Sequence, residues 1–203
     1  MSSSVLQGAV AEQAVPTSTE PTRRRLSAKQ AATVQRLTVA AVEELRAHGF
    51  DGLTVRNVAR SAGVAPATAY TYFTSREHLV TEVFWRRLEA MPETAHDRRR
   101  SAVTRVSATM ADFALLVADE PELAAACTVA MLATDPDVKL LRDRIGMEWR
   151  RRLVAALGAD AAAAVLATLE FVISGALLQA GMGHMTYREL PGHLTRAVEL
   201  VVG

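Results

Sequence analysis

A single cysteine, Cys127, occurs in 203 residues. One thiol excludes a disulfide framework within the chain and any zinc site built on cysteines, and a cytosolic setting follows naturally. Lying in an apolar run, Cys127 reads as a small core residue. Aromatic residues are scarce at 5%, so the interior must be built mainly from Ala, Leu and Val, which suits packed helices. No stretch alternates apolar and polar residues between hairpin turns, and strands are not expected. Catalytic signatures are also missing. His48, His78, His184 and His193 are scattered singly, and no Ser–His–acid or phosphate-loop pattern occurs. Glu93 and His96 have the spacing of a di-iron ligand pair, but such centres need a second copy and two further carboxylates. No second copy is found, and Pro92 makes helical continuity there doubtful. No catalytic residue, cofactor or metal ligand is assigned.

The chain lacks a strong net charge, at +1, yet its charges are unevenly placed. Residues 23–76 hold nine Lys/Arg against three Asp/Glu, or +6, whereas residues 77–203 hold fourteen against seventeen, or −3. A basic head on a mildly acidic body suits a DNA-binding module joined to something else. Residues 1–22 are Ser, Thr, Pro, Ala, Gln and Glu without periodicity and read as a disordered tail. They have neither the basic start nor the long apolar run of a secretory signal. Arg23, Arg24 and Arg25 follow as a basic arm able to lie along phosphates or enter a minor groove, or simply as a solvated charge run.

The densest information lies between Leu53 and Leu79. Val55, Val58, Ala59 and Ala62 recur on one face of a short helix, with Thr54 placed to cap it. Gly63 follows where a helix would end with positive φ. Pro66 opens a second short helix running to about Tyr72, and Thr74 with Glu77 has the spacing of a capping box for the next. Helices this short are unstable alone; the segment Ala28–Ala47, with Val34, Leu37, Ala41 and Leu45 on one face, supplies a third. Pro66, Ala67, Thr68, Tyr70, Thr71 and Tyr72 cannot all be core on so short a helix. Thr and Tyr offer hydroxyls to phosphates, and Ala, Pro and Thr offer apolar contact to thymine methyls. Arg56 and Arg76 flank the pair. A small helical corner with a solvated polar surface is the plainer alternative.

These residues resemble the DNA-binding head of the TetR family of bacterial transcriptional regulators. The likeness rests on Gly49-Phe50, Leu53-Thr54-Val55-Arg56, Val58-Ala59, Ala62-Gly63-Val64, Thr68, Tyr70-Thr71-Tyr72-Phe73 and Ser75-Arg76-Glu77 with Leu79, and covers roughly residues 28–85. It implies that Thr54 and Arg56 touch phosphate or a base and that Pro66, Ala67, Thr68 and Tyr72 face the major groove. Tyr70 would donate to a phosphate, Arg76 would hold another at the start of the fourth helix, and Phe73 would pack inside the head. Ala65 in place of the commoner Ser weakens an N-cap by about 1 kcal/mol, and Ala69 in place of the usual Leu leaves less apolar packing.

Beyond Leu88 the pattern predicts five more helices: about Arg98–Ala118, a short one after Pro121, one from Pro136 to about Leu157 ended by Gly158, about Asp160–Gly181, and a last one ending near Val202. The expected fold is all-α, an N-terminal three-helix helix-turn-helix head plus a C-terminal helical ligand-binding and dimerisation domain. The division is 1–25 tail with a basic end, 26–74 head, and 75–203 body, with 75–91 a connecting helix. The segment Ala161–Gly183 is long and apolar enough to suggest a membrane span, but Glu170 sits near its middle, where a carboxylate is costly in lipid. It reads instead as a helix enclosed in its own subunit and against a partner. With Leu194, Val198 and Val201 of the last helix, it would form a four-helix bundle across a two-fold axis. A dimer is required because one short recognition helix reads too few bases.

The resemblance also implies a small molecule enclosed by the body that shifts the spacing of the heads. Candidate apolar walls are Phe113, Leu116, Met131, Met147, Trp149, Leu166 and Leu169, with polar contacts from Arg144, Glu170 and Gln179. Each of these can equally be ordinary core. The lining suggests a hydrophobic or amphipathic effector. The expected activity is a cytoplasmic, non-enzymatic, homodimeric repressor that binds a double-stranded DNA operator and is released by that effector. A DNA-binding dimer whose body serves only dimerisation or protein partners is the alternative.

Overall fold

The computed structural model describes residues 27–158 and 160–203; the expected tail and the Arg23–Arg25 arm lie outside them. Among the described residues the chain forms nine helices and no strand: α1 (Ala28–Gly52), α2 (Val55–Ser61), α3 (Pro66–Tyr70), α4 (Arg76–Ala90), α5 (Ala102–Leu115), α6 (Pro121–Ala130), α7 (Pro136–Leu157), α8 (Ala163–Gly181) and α9 (Leu190–Val202).

Local chemistry explains the boundaries. Ser27 and Gln30 form a capping box at the start of α1. Gly49, at φ 64°, breaks the helix near its end, and the chain resumes one turn through Phe50 to Gly52. Thr54 caps α2 by accepting from the Asn57 N–H, as its position predicts. Gly63 takes φ 62°, the left-handed geometry that turns α2 into α3 with no Cβ penalty. The cap of α4 differs from expectation by one residue. Ser75, not Thr74, accepts from the His78 N–H, while the Thr74 hydroxyl donates across the fold to Asp137 at 3.0 Å. Arg98–Ser101 stay outside α5, whose cap is Ser101. Gly158 ends α7 at φ 112°.

One continuous apolar core runs from Val34 and Leu45 of α1 through Phe73 and Phe84 to Leu169 of α8 and Val198 of α9. α1 and α4 both pack on α6, so head and body are not separated by a gap. α4 lies parallel to α7 and is held by it at both ends. At the front, Ser75 Oγ donates to Asp135 Oδ2 at 2.6 Å. At the back, the buried Arg152 donates to the carbonyls of Met91 and Pro92, both at 2.9 Å, and to Glu148 at 2.7 Å. These carbonyls belong to the unsatisfied end of α4 and the link beyond it, so the guanidinium caps that helix from a neighbour.

α8 is only partly covered by its own subunit. An 18-residue window of it has a mean hydropathy of 1.7, enough by length and composition to cross a membrane. It packs on α9, α6 and α7, but Phe171 is 79% and Met182 53% exposed. Leu194 and Val198, expected to face a partner, are buried within the subunit. Gly181 allows close approach to α6, since a Cβ there would run into Thr128.

Candidate nucleic-acid interface

α2, packed on α1, holds α3 on the surface. Val55, Val58 and Ala59 turn inward, and the Arg36 side chain donates to the Ala62 carbonyl at the turn. Ala69 and Phe73 are buried and anchor α3 and the turn after it. On the opposite side Pro66, Ala67, Thr68 and Tyr70 are exposed together, with Thr54 and Arg56 exposed at the start of α2. Thr71 is exposed, but its hydroxyl donates to the Thr68 carbonyl at 2.6 Å, which steadies the end of α3. Arg60, in the last turn of α2, is another exposed cation near this face that the sequence reading did not select.

Two expected contacts are placed differently. Tyr72 is half-buried and packs against the core, because α3 ends at Tyr70 and the following turn rotates the ring inward. Arg76 is engaged within the chain. It donates to the Phe50 carbonyl at 2.9 Å and to Glu77 at 3.0 Å, and its guanidinium lies 4.3 Å from the centre of the Phe50 ring. This fixes the turn after Gly49 to the start of α4.

The residues expected to line an interior ligand site divide between the core and the surface. Phe113 and Trp149 stack on each other with ring centres 4.3 Å apart, and Leu166 and Leu169 are buried beside them in the core. Leu116 and Met131 are partly buried against the same core. Trp149 Nε1 is buried without an acceptor. Met147, at 65% exposure, Arg144 and Gln179 point outward. Glu170 pairs with Arg150 of α7 at 2.8 Å rather than facing inward. Helical spacing identifies which face of α7 or α8 is apolar, but not whether that face meets side chains, solvent or space. A cleft of about 350 Å³ does open elsewhere, between the α5–α6 corner and the α8–α9 connection, lined by Pro121, Ala125, Gly181, Tyr187 and Arg188 among others.

The junction of head and body is rich in charge that sequence spacing did not reveal. Glu120, just before α6, receives Arg46 of α1 at 2.8 Å and also Arg87 of α4. Burial works to raise the Glu120 carboxyl, but the Arg87 and Arg46 guanidiniums outweigh it and hold it below the ordinary glutamate value. The Ser75 hydrogen bond, against an opposing effect of burial, holds Asp135 below the ordinary aspartate value, with help from the α7 N–H groups. Cys127 is buried as expected, and burial pushes its thiol up to about 12. Glu93 and His96 lie in a non-helical link, so their spacing does not place them on one helix face. Glu93 pairs with Arg151 instead.

A short, outward-facing helix braced by two others around a positive-φ glycine, on an all-helical body, defines a helix-turn-helix DNA-binding regulator. The model for bacterial regulatory proteins of the tetR family matches residues 37–83. Uncharacterised HTH-type transcriptional regulators of Mycobacterium tuberculosis and Mycobacterium bovis are 43% identical over 188 residues, covering 91% of this chain and 88% of theirs. The chain belongs to the TetR family and is a transcriptional regulator. Its fold matches that of a TetR transcriptional regulator from Rhodococcus sp., with TM-score 0.70 and 22% identity over 86% of this chain and 97% of that one. It also matches the regulator FadR of Bacillus subtilis, solved in complex with stearoyl-CoA. There the TM-score is 0.60 and the identity 18%, over 83% of this chain and 97% of that one.

Proposed function

We propose that the protein is a cytoplasmic homodimeric repressor that reads a two-fold operator with paired α3 helices and is released by a small amphipathic effector. The observation that carries the DNA-reading half is the joint exposure of Pro66, Ala67, Thr68 and Tyr70 beside Thr54 and Arg56. Thr68 and the small apolar residues meet base edges, while Arg56, Thr54 and Tyr70 position the head on phosphates. Residues 26–74 form the reading head, and residues 75–203 the body that responds to the effector and dimerises.

The dimer is supported by an apolar stripe that its own subunit leaves uncovered. Phe171, Leu178 and Met182 lie on one side of α8, with exposures of 79%, 41% and 53%. Leu200 of α9 is 89% exposed. A patch of this kind marks an interaction surface, and Gly175 lies on the same stripe with open space around it, so a second backbone can approach. Phe171→Glu is expected to convert the dimer to monomer by sedimentation at micromolar concentration without loss of helix content. A dimer of unchanged stability would place the interface elsewhere.

The deciding experiment is a salt series of binding to the DNA upstream of the protein's own gene, against a scrambled duplex. Sequence-preferring binding by two protomers, falling steeply with salt, is expected. Thr68→Ala and Arg56→Ala should each weaken it while leaving the melting temperature unchanged, because both side chains are exposed. Equal weak binding to both duplexes would reject this DNA as the operator. No binding at low salt would reject DNA reading.

A further inference from the structure

Asp119, Glu120 and Pro121 are consecutive and face two ways. Pro121 lines the cleft of about 350 Å³, together with Ala125 of α6, Gly181 of α8, and Tyr187 and Arg188 of the α8–α9 connection. Asp119 reaches over the same opening to Arg188 at 2.5 Å. Glu120 points the other way and holds Arg46 and Arg87. The corner that borders the cleft therefore also holds the reading head.

The cleft is partly open and mostly apolar in its lining. Its volume is at the small end of the usual range. Its floor is made of small residues, Ala118, Ala125, Ala180 and Gly181, which leave room where larger side chains would fill it. Met185 and the ring of Tyr187 supply adaptable and flat apolar contact. The Tyr187 hydroxyl lies 3.3 Å from both the Ala124 carbonyl and the Thr128 hydroxyl, which fixes the ring as a wall. Arg188 brings the positive charge, and its partner is easily exchanged. The Arg188 and Asp119 side chains are 74% and 85% exposed, and such a pair gains little from staying together. A ligand carboxylate that also buries an apolar tail can displace Asp119.

We propose that this cleft is an effector site for a small apolar molecule carrying one carboxylate, which Arg188 reads in place of Asp119, and that occupancy reaches the head through Glu120. The assignment rests on the effector-gated reading above and places its ligand at this cleft rather than beside Phe113 and Trp149. Displacing Asp119 and spreading the walls at Pro121 shifts the segment that carries Glu120, and with it the anchor shared by α1 and α4.

The test uses decanoate as the probe and the full-length protein without DNA, by isothermal titration calorimetry. Saturable binding is expected. Arg188→Gln should weaken it by about tenfold or more, as loss of a charge-assisted pair implies, and decan-1-ol should bind the unmodified protein as weakly as decanoate binds that variant. Ala125→Phe, on an exposed helix position, should fill the cleft and abolish binding with the melting temperature retained. No saturable binding of decanoate overturns the ligand class. Unchanged binding in Ala125→Phe overturns the location, and unchanged binding in Arg188→Gln alone overturns the carboxylate reading. On DNA that binds the ligand-free protein, decanoate should lower affinity at least about threefold, and Glu120→Gln should remove that effect while keeping decanoate binding. Persistence of the effect in Glu120→Gln overturns the route to the head. Because the calorimetry involves no DNA, a wrongly chosen operator leaves the result at the cleft intact.

Discussion

Arg152 carries a full charge into the interior and spends it on the Met91 and Pro92 carbonyls and on Glu148. Arg152→Ala strands the Met91 and Pro92 carbonyls while Glu148 keeps Arg151, and a loss of about 1–3 kcal/mol is expected in urea unfolding. Arg152→Lys should recover only part, since a point charge cannot replace the planar fork. Arg76 bears on a different question. With its guanidinium committed to Phe50, Asp51 and Glu77, Arg76→Ala should lower stability and disturb the head while leaving the salt dependence of non-specific DNA binding unchanged. A slope reduced by about one would restore the phosphate contact that the resemblance implies. At this scale the sequence was readable where local geometry decides. Pro66, Ala67, Thr68 and Tyr70 had no core role available on a five-residue helix and are exposed. Tyr72 was not readable, because its ring direction depends on where α3 stops. The interior ligand set is a different case. Phe113 and Trp149 have the right character for a pocket wall, but their mutual contact is a long-range fact absent from spacing.

Helix α4 gains its position from α7, and one carboxylate shows how. Asp135 Oδ1 accepts from the Asp137 N–H at 2.8 Å and caps α7, while Oδ2 accepts from Ser75, which itself caps α4. Ser75→Ala alone should cost about 1 kcal/mol for the lost cap and more for the lost tie. A double-mutant cycle with Asp135→Ala separates the two, because each cap is intrinsic to its own helix. A coupling of about 1–2 kcal/mol is expected by denaturant titration, and a coupling near zero would reduce the contact to proximity. Element types and most boundaries were legible from apolar periodicity, Gly63, Pro66 and Pro136. The one-residue error at α4 has a simple cause. Thr74 and Ser75 are both competent caps, and the choice is made by Asp135 and Asp137, some sixty residues away.

Across the whole molecule, carboxylates with depressed pKa join the head to the body. A group held below its ordinary value contributes stability above that value and loses it as pH falls toward the folded one. Glu120 and Asp135 both belong to this class. The urea midpoint should therefore hold from neutrality to about pH 5 and fall below it, as the ordinary carboxylate range is crossed. Glu120→Gln should start lower and fall less steeply; an identical slope would remove Glu120 from the acid transition. The charge split between residues 23–76 and 77–203 was legible in composition, but Glu120 as a shared anchor was not, since Arg46, Arg87 and Glu120 have no spacing rule in common. The two-ended hold of α7 on α4 also constrains any attempt to exchange reading heads between relatives. A graft cut after Thr74 would part Thr74 from Asp137 and leave the buried side of α4, Leu79, Val83 and Phe84, facing a foreign α1. A working chimera should instead carry residues 27–92 as one block and match α6 and the front of α7 to it, so the transplantable unit is larger than the part that reads DNA.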